Sequence, residues 1–158
     1  MLVEVTEQLA SALLAQGKML TTAESCTGGW VAEAITAISG SSQWFERGFI
    51  TYSNLAKVEM LGVSQESLAK FGAVSEQTAK EMAEGALQNS HAQVAIATTG
   101  IAGPIGGTTV KPVGTIWFAW AFVGAETKTV KQLFKGDRQA IRKKAVAFAL
   151  QTLLQQLA

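Results

Sequence analysis

Val94-Ala95-Ile96-Ala97-Thr98 restricts the fold more than any other stretch of this chain. It is short, almost wholly apolar, and apolar on both faces. A strand that buries both faces needs cover on both sides, which is the position of a central strand in a parallel sheet sandwiched by helices. The rest of the sequence supplies such helices. Residues 3–16 put Val5, Leu9, Ala12 and Leu13 on one side, and Gly17 stops them. Lys18 to Glu24 reads as a first strand, followed by a helix with Trp30, Val31, Ala34, Ile35 and Ile38 as its apolar side and Gly40 at its end. Phe49-Ile50-Thr51-Tyr52 alternates and is rich in β-branched and aromatic residues, so it reads as the second strand, with Asn54 capping a helix over 55–61. Ser64 caps a short helix through Lys70, and Ser75 caps a longer one over 76–88 with Ala79, Met82, Ala83 and Ala86 inward. Thr115–Val123 and Lys128–Phe134, joined by Gly124-Ala125-Glu126, predict an antiparallel hairpin. Gly136-Asp137 opens a last helix through Leu157. This order predicts a three-layer α/β/α domain with a mixed, mostly parallel sheet. The length, 158 residues, suits one domain over 1–158 with a sizeable core.

Composition excludes several classes of function. The net charge is +1 and only 16% of residues are charged, so there is no basic patch of the kind nucleic acid demands. Hydrophobic residues make up 48% and mean hydropathy is +0.22, yet the longest apolar run, Val113 to Val123, is too short to cross a bilayer. The sequence begins MLVEVTEQLA, with acids where a signal peptide has bases, which predicts a cytoplasmic protein. A single cysteine excludes an internal disulfide, and a single histidine excludes a histidine-based metal cluster. His91, in a polar loop, reads as structural or solvated. Nothing here sets the oligomeric state, and a homo-oligomer stays open.

In open α/β sheets, sites form where strands hand over to loops at their carboxyl ends. Three handovers carry small and polar residues: 22–29, 50–57 and 97–107. The stretch GSSQWFERGFITYSNLAK, 40–57, holds two small hydroxyls (Ser41, Ser42), a phenol (Tyr52) and an amine (Lys57). Lys57 falls in the first turn of a helix, where the dipole disfavours a cation and favours the neutral amine that a general base requires. Ser, Tyr and Lys together suggest a Ser-Lys hydrolase. The plain alternative is a solvated lysine beside a packed tyrosine. In Glu24-Ser25-Cys26-Thr27-Gly28-Gly29 the backbone N–H groups and the Ser25 and Thr27 hydroxyls suit a phosphate or carboxylate, or simply a capped turn. Glu24 ends a strand whose other charge, Lys18, lies at its far end, and is placed to orient Lys57 or a substrate hydroxyl. Cys26, at a helix start, is a candidate thiol nucleophile, though a small buried residue is the plainer reading. Thr98-Thr99-Gly100 opens a glycine-rich loop in which Gly100, Gly103, Gly106 and Gly107 would admit a ligand close to the backbone. Arg138 starts the last helix as a fork suited to phosphate. Arg142, Lys143 and Lys144 read as that helix's solvated face.

Together, TTAESCTGGWVAEAIT, GSSQWFERGFITYSNLAK, GAVSEQTA, TGIAGPIGG and KPVGT resemble, in order, the signature blocks of the C-terminal domain of the CinA competence/damage-inducible proteins. The resemblance covers nearly the whole chain. It implies a three-layer α/β/α fold, no metal or organic cofactor, and nicotinamide-nucleotide amidohydrolase activity in pyridine nucleotide salvage. Nicotinamide mononucleotide and water would give nicotinate mononucleotide and ammonia. By position it implies Ser42 as nucleophile, Lys57 as general base and Tyr52 as the assisting phenol. Ser25, Thr27, Gly28, Thr99, Gly100 and Arg138 are expected to bind the substrate, with Arg142 as the second choice of arginine. Ile105 stands where relatives often have Asp or Gly. The residues by themselves do not choose Ser42 over Ser25 or Ser41. A catalytically silent ligand- or partner-binding domain of the same fold is the alternative from another class, and a cysteine amidase using Cys26 is a third.

Overall fold

In the computed structural model, which describes residues 2–158, five strands form one sheet. They are β1 (Leu20–Glu24), β2 (Phe45–Ile50), β3 (Val94–Gly100), β4 (Thr115–Phe122) and β5 (Lys128–Leu133), in the order β2-β1-β3-β4-β5. β1 pairs in parallel with β2 on one side and β3 on the other, while β3–β4 and β4–β5 are antiparallel. Four strands therefore point one way and β4 alone runs against them. The helices are α1 (Leu2–Gln16), α2 (Trp30–Thr36), α3 (Asn54–Leu61), α4 (Gln65–Phe71), α5 (Glu76–Gln88) and α6 (Arg138–Leu157). The α/β/α architecture with a mixed sheet is as expected, and β3 takes the central position that its two apolar faces require.

The two faces of the sheet differ in side-chain size, and this decides which helices they accept. Leu20, Val94, Ile96, Ile116, Phe118 and Trp120 point to one face and pack with α1, α2 and α6. Phe118, Trp120, Phe134 and Phe148 form an aromatic cluster there, and Trp120 Nε1 donates to the Ala149 carbonyl of α6 at 3.1 Å. The opposite face is paved with Ala23, Ala95, Ala97, Ala119 and Ala121, so α5 can lie close against it. α5 is also pressed against α3: a Cβ on Gly85 would stand 1.9 Å from the Leu61 carbonyl oxygen.

Local signals set most of the helix starts. Ser64 and Ser75 each accept from a backbone N–H as N-caps, as anticipated, and Asp137, where the last helix was expected to open, does the same. At α3 the cap is Ser53, whose hydroxyl accepts from Ala56 N, and not Asn54, which is the first helical residue. The larger correction is β2. It spans Phe45–Ile50, four residues earlier than the alternating stretch Phe49–Tyr52 suggested, because its register is set by pairing Leu20 with Phe45 and Glu24 with Ile50. Tyr52 thus lies beyond the strand's carboxyl end. Ser42, in a short 3-10 turn over Ser41–Gln43, lies before its amino end.

Candidate active site

β1 hands over to α2 in the layer of α1 and α6, whereas its neighbour β2 hands over to α3 in the opposite layer. Adjacent strands whose connections leave to opposite faces open a crevice at their carboxyl ends. The loop after β3 closes its far side. The result is a cavity of about 380 Å³ lined by residues of all three handovers, among them Ser25, Tyr52, Lys57, Thr99, Gly103 and Arg138.

Lys57 sits at its floor and is 1% exposed. Its Nζ is 3.0 Å from Ser25 Oγ and donates to the carbonyls of Thr51 at 2.8 Å and Tyr52 at 3.2 Å. None of these partners is a carboxylate. Burial without an anion disfavours the ammonium, and it holds the Lys57 amine below the ordinary lysine range. The two carbonyls can only accept. In the neutral amine they take the two N–H bonds, and the lone pair is left facing the Ser25 hydroxyl. A serine in this position, 8% exposed and beside an amine whose neutral form burial favours, has the geometry of an activated nucleophile.

This geometry corrects the assignment of Ser42. That residue is exposed, does not line the cavity, and stands at the opposite end of β2 from Lys57. A strand of that length separates them by about 20 Å at ~3.3 Å per residue. Ser41 is buried in the same distant turn. The hydroxyl brought to Lys57 is Ser25, 32 residues away in sequence.

The N–H groups that open α2 are not free for an anion, because a side chain of this protein already takes them. The Glu24 carboxylate, 1% exposed, accepts from Thr27 Oγ1 at 2.6 Å and from the backbone N–H groups of Gly29, Val31 and Ala32 at 3.2, 2.9 and 3.0 Å. It stabilises the start of α2 and does not touch Lys57. Thr27 is fully buried and its single proton goes to Glu24, so its hydroxyl accepts from Thr98 at 2.8 Å. Thr27 and Gly28 do not line the cavity, and Gly28 lies under the Arg142 guanidinium.

Arg142 is not on a solvated face. Its Nε donates to the Cys26 carbonyl at 3.1 Å and its NH2 to the Thr27 carbonyl at 3.0 Å, with the guanidinium over the Trp30 ring. One turn earlier on the same side of α6, Arg138 reaches the mouth of the cavity. There it donates to the Gly103 carbonyl at 2.7 Å and to the Tyr52 hydroxyl at 3.2 Å. Tyr52 is 63% exposed, and its phenol meets Arg138 while its carbonyl meets Lys57.

Thr99 lines the cavity, but its hydroxyl donates to the Ala73 carbonyl at 2.8 Å, so it is not free to stabilise an oxyanion. The loop glycines serve packing more than ligand approach. A Cβ on Gly100 would meet Ile116 Cδ1 at 2.3 Å, and one on Gly103 would meet Val113 Cγ1 at 2.4 Å. Burial pushes the Cys26 thiol up to about 12, so it stays protonated and the thiol-nucleophile reading has no support. Ile105 stands on the rim, 86% exposed. No cluster of three or more His, Cys, Asp or Glu side chains able to hold a metal occurs among the described residues. Among the described residues no helix is long and apolar enough to cross a membrane.

Of the site residues, the sequence signals missed the structural use of Glu24 and Arg142. Glu24 is a carboxylate five residues before the first N–H it caps, too far for an ordinary cap motif. Arg142 sits amid Lys143 and Lys144, which mask it as a surface charge.

Comparison with known proteins places the chain among close relatives. The family described as CinA C-terminal domain matches residues 2–157. The nicotinamide-nucleotide amidohydrolase PncC of Escherichia coli strain K12 is 57% identical over 155 residues, covering 98% of this chain and 94% of that protein. The protein of the same description from Enterobacter agglomerans is 54% identical over 153 residues, with 97% and 93% covered. Among solved structures, the competence/damage inducible protein CihA of Agrobacterium tumefaciens superposes with a TM-score of 0.95 at 44% identity, covering 98% of this chain and 94% of that one.

Proposed function

The chain belongs to the CinA C-terminal domain family, and from that premise we propose that it is a nicotinamide-nucleotide amidohydrolase, converting nicotinamide mononucleotide and water to nicotinate mononucleotide and ammonia. The observation that carries the chemistry is the Ser25–Lys57 contact of 3.0 Å at the floor of the cavity. Identity of 57% with a protein named for this reaction supports the substrate class.

In this reading Lys57 is the general base. Its neutral amine, oriented by the carbonyls of Thr51 and Tyr52, takes the Ser25 proton as Oγ attacks the carboxamide carbon. The oxyanion forms against backbone N–H groups lining the cavity. Those of Cys26 and Gly103 are candidates, since neither donates to another main-chain group among the described residues. The ammonium of Lys57 then returns the proton to the departing nitrogen, and ammonia leaves. Water, deprotonated by the same amine, hydrolyses the acyl-serine. Arg138, with three guanidinium N–H donors beyond its bonds to Gly103 and Tyr52, holds the 5′-phosphate at the mouth. Tyr52 assists from the rim, where its phenol and Arg138 form one wall. Nothing in the chemistry calls for a cofactor. Consuming nicotinamide mononucleotide and releasing nicotinate mononucleotide would place the protein in pyridine nucleotide salvage. The whole chain, 1–158, would act as one amidohydrolase domain.

The test is ammonia release from nicotinamide mononucleotide by purified protein, compared among wild type, Ser25→Ala and Ser42→Ala. Ser25→Ala is expected to lose several orders of magnitude in kcat, and Ser42→Ala to stay within about twofold of wild type because surface changes of this kind are close to neutral. A tenth of wild-type turnover surviving in Ser25→Ala would move the nucleophile elsewhere.

A further inference from the structure

The turn that carries Ser25 is gripped from its two polar sides by opposite charges that make no ion pair with each other. Buried Glu24 takes the N–H groups of Gly29, Val31 and Ala32 together with the Thr27 hydroxyl. From the other side, Arg142 donates to the carbonyls of Cys26 and Thr27, the two residues that follow Ser25. The ion pair present among the described residues is Arg47–Glu46, far from this turn in sequence. Neither charged group reaches the cavity.

We propose that Arg142 and Glu24 are positioning residues for the amide hydrolysis, holding the Ser25 hydroxyl against the Lys57 amine; this rests on the amidohydrolase reading above. The physical case is one of rigidity. Ser25 Oγ must stay in line with the Lys57 lone pair, and a loss of alignment of about 1 Å can cost on the order of a hundredfold in rate. The turn leaves part of its backbone unbraced by its own main chain: Gly28 and Gly29 both adopt positive φ, 59° and 102°, and no main-chain N–H reaches the Cys26 carbonyl. Main-chain bonds hold the Ser25 carbonyl, from Gly28 N at 3.0 Å, and share the Thr27 carbonyl, from Trp30 N at 3.0 Å, while the Cys26 carbonyl between them is held by Arg142. A planar fork suits this task because it reaches two carbonyls from separate nitrogens held in fixed geometry, so less side-chain freedom is lost per bond than with an ammonium. The Trp30 ring beneath the guanidinium, 5.4 Å from its centre, sets the plane of the fork. Arg138, four residues earlier, points to the substrate; Arg142 points to the main chain of the serine turn. The two arginines therefore divide binding and positioning between them.

The experiment is steady-state ammonia release from nicotinamide mononucleotide by wild type, Arg142→Lys, Arg142→Ala and Glu24→Gln, each at a temperature well below its own Tm. Arg142→Lys keeps the charge and the stem over Trp30 but loses the fork, and it is expected to lower kcat roughly tenfold or more with KM within about twofold. Arg142→Ala is expected to fall further and to regain turnover with added guanidinium but not with methylammonium. Glu24→Gln, which turns an N–H against the Ala32 N–H, is expected to lower kcat with KM again unchanged. A purely stabilising role would lower Tm and leave kcat intact in every folded variant, and that outcome overturns the proposal. A raised KM at unchanged kcat in Arg142→Lys overturns it too, by making Arg142 a substrate-binding group. If Arg142→Ala does not fold, Arg142→Lys and Glu24→Gln decide. Wild-type protein that releases no ammonia would instead remove the amidohydrolase reading itself, before any variant is compared.

Discussion

Replacing Lys57 by arginine separates a base from a fixed charge. Lys57 Nζ lies in a closed niche with three oxygens, Thr51 O, Ser25 Oγ and Tyr52 O, at 2.8, 3.0 and 3.2 Å. A guanidinium brings five N–H donors. At least two would stay unpaired in a site that is 1% exposed. At about 1–3 kcal/mol for each buried unmade bond, Lys57→Arg should lose roughly 2–6 kcal/mol of stability. Its catalytic loss has a different origin: arginine cannot deprotonate, so the lone pair facing Ser25 disappears, at a cost of about 10²–10⁴ in kcat. Lys57→Met removes the base without adding donors. It should show the same loss of rate with a smaller loss of stability, so the pair of variants divides chemistry from folding. Burial holds the Lys57 pKa below its unfolded value, so between those two values the unfolded chain binds the extra proton. Wild-type stability relative to Lys57→Met should therefore rise with pH across that window and be flat below it. Over the same ionisation kcat/KM should rise with pH, with a midpoint below the ordinary ~10.4 of lysine. The assays are ammonia release against pH and thermal melts of the three proteins. Substantial turnover in Lys57→Arg, with the wild-type pH profile, would refute the base assignment and leave Lys57 as an anchoring charge.

Thiol reagents bear on Cys26: with its thiol raised to about 12, iodoacetamide at pH 8 should leave activity within about twofold over a time that alkylates an exposed thiol fully. Rapid inactivation, absent in Cys26→Ala, would contradict this. Gly85→Ala should cost about 3 kcal/mol or more, measured by denaturant unfolding, because its Cβ would meet the Leu61 carbonyl at 1.9 Å and backbone cannot rotate away. Free nicotinamide should be a poor substrate beside its mononucleotide, and Arg138→Ala should narrow the gap by damaging only the phosphate-bearing compound. Equal kcat/KM for both compounds with wild type would remove Arg138 from the phosphate site.

How far sequence alone reaches differs between elements. β3 declared its central place through two apolar faces, and Ser64, Ser75 and Asp137 marked their helices through side chains that act on their own neighbours. The β4–β5 hairpin was legible for the same reason, since its turn joins adjacent strands. These are local properties, and the three handovers at the strand ends followed from them. The edges of β2 were not local. Phe49–Tyr52 has the better strand pattern, yet pairing with β1 puts the strand at Phe45–Ile50. A strand of six residues then stands between Ser42, before its amino end, and Lys57, past its carboxyl end. Ser25 and Lys57 meet only because β1 and β2 are parallel neighbours whose chains leave to opposite faces. No spacing in the sequence encodes that contact. Nor could the sequence say that Glu24 takes the N–H groups that open α2, or that Arg142 turns inward while Lys143 and Lys144 do not. Residue type and order determined which chemistry this chain has at its disposal; packing decided which serine the lysine meets, because a hydrogen bond of 3.0 Å depends on sheet register and helix placement, to which residues far apart in the chain contribute.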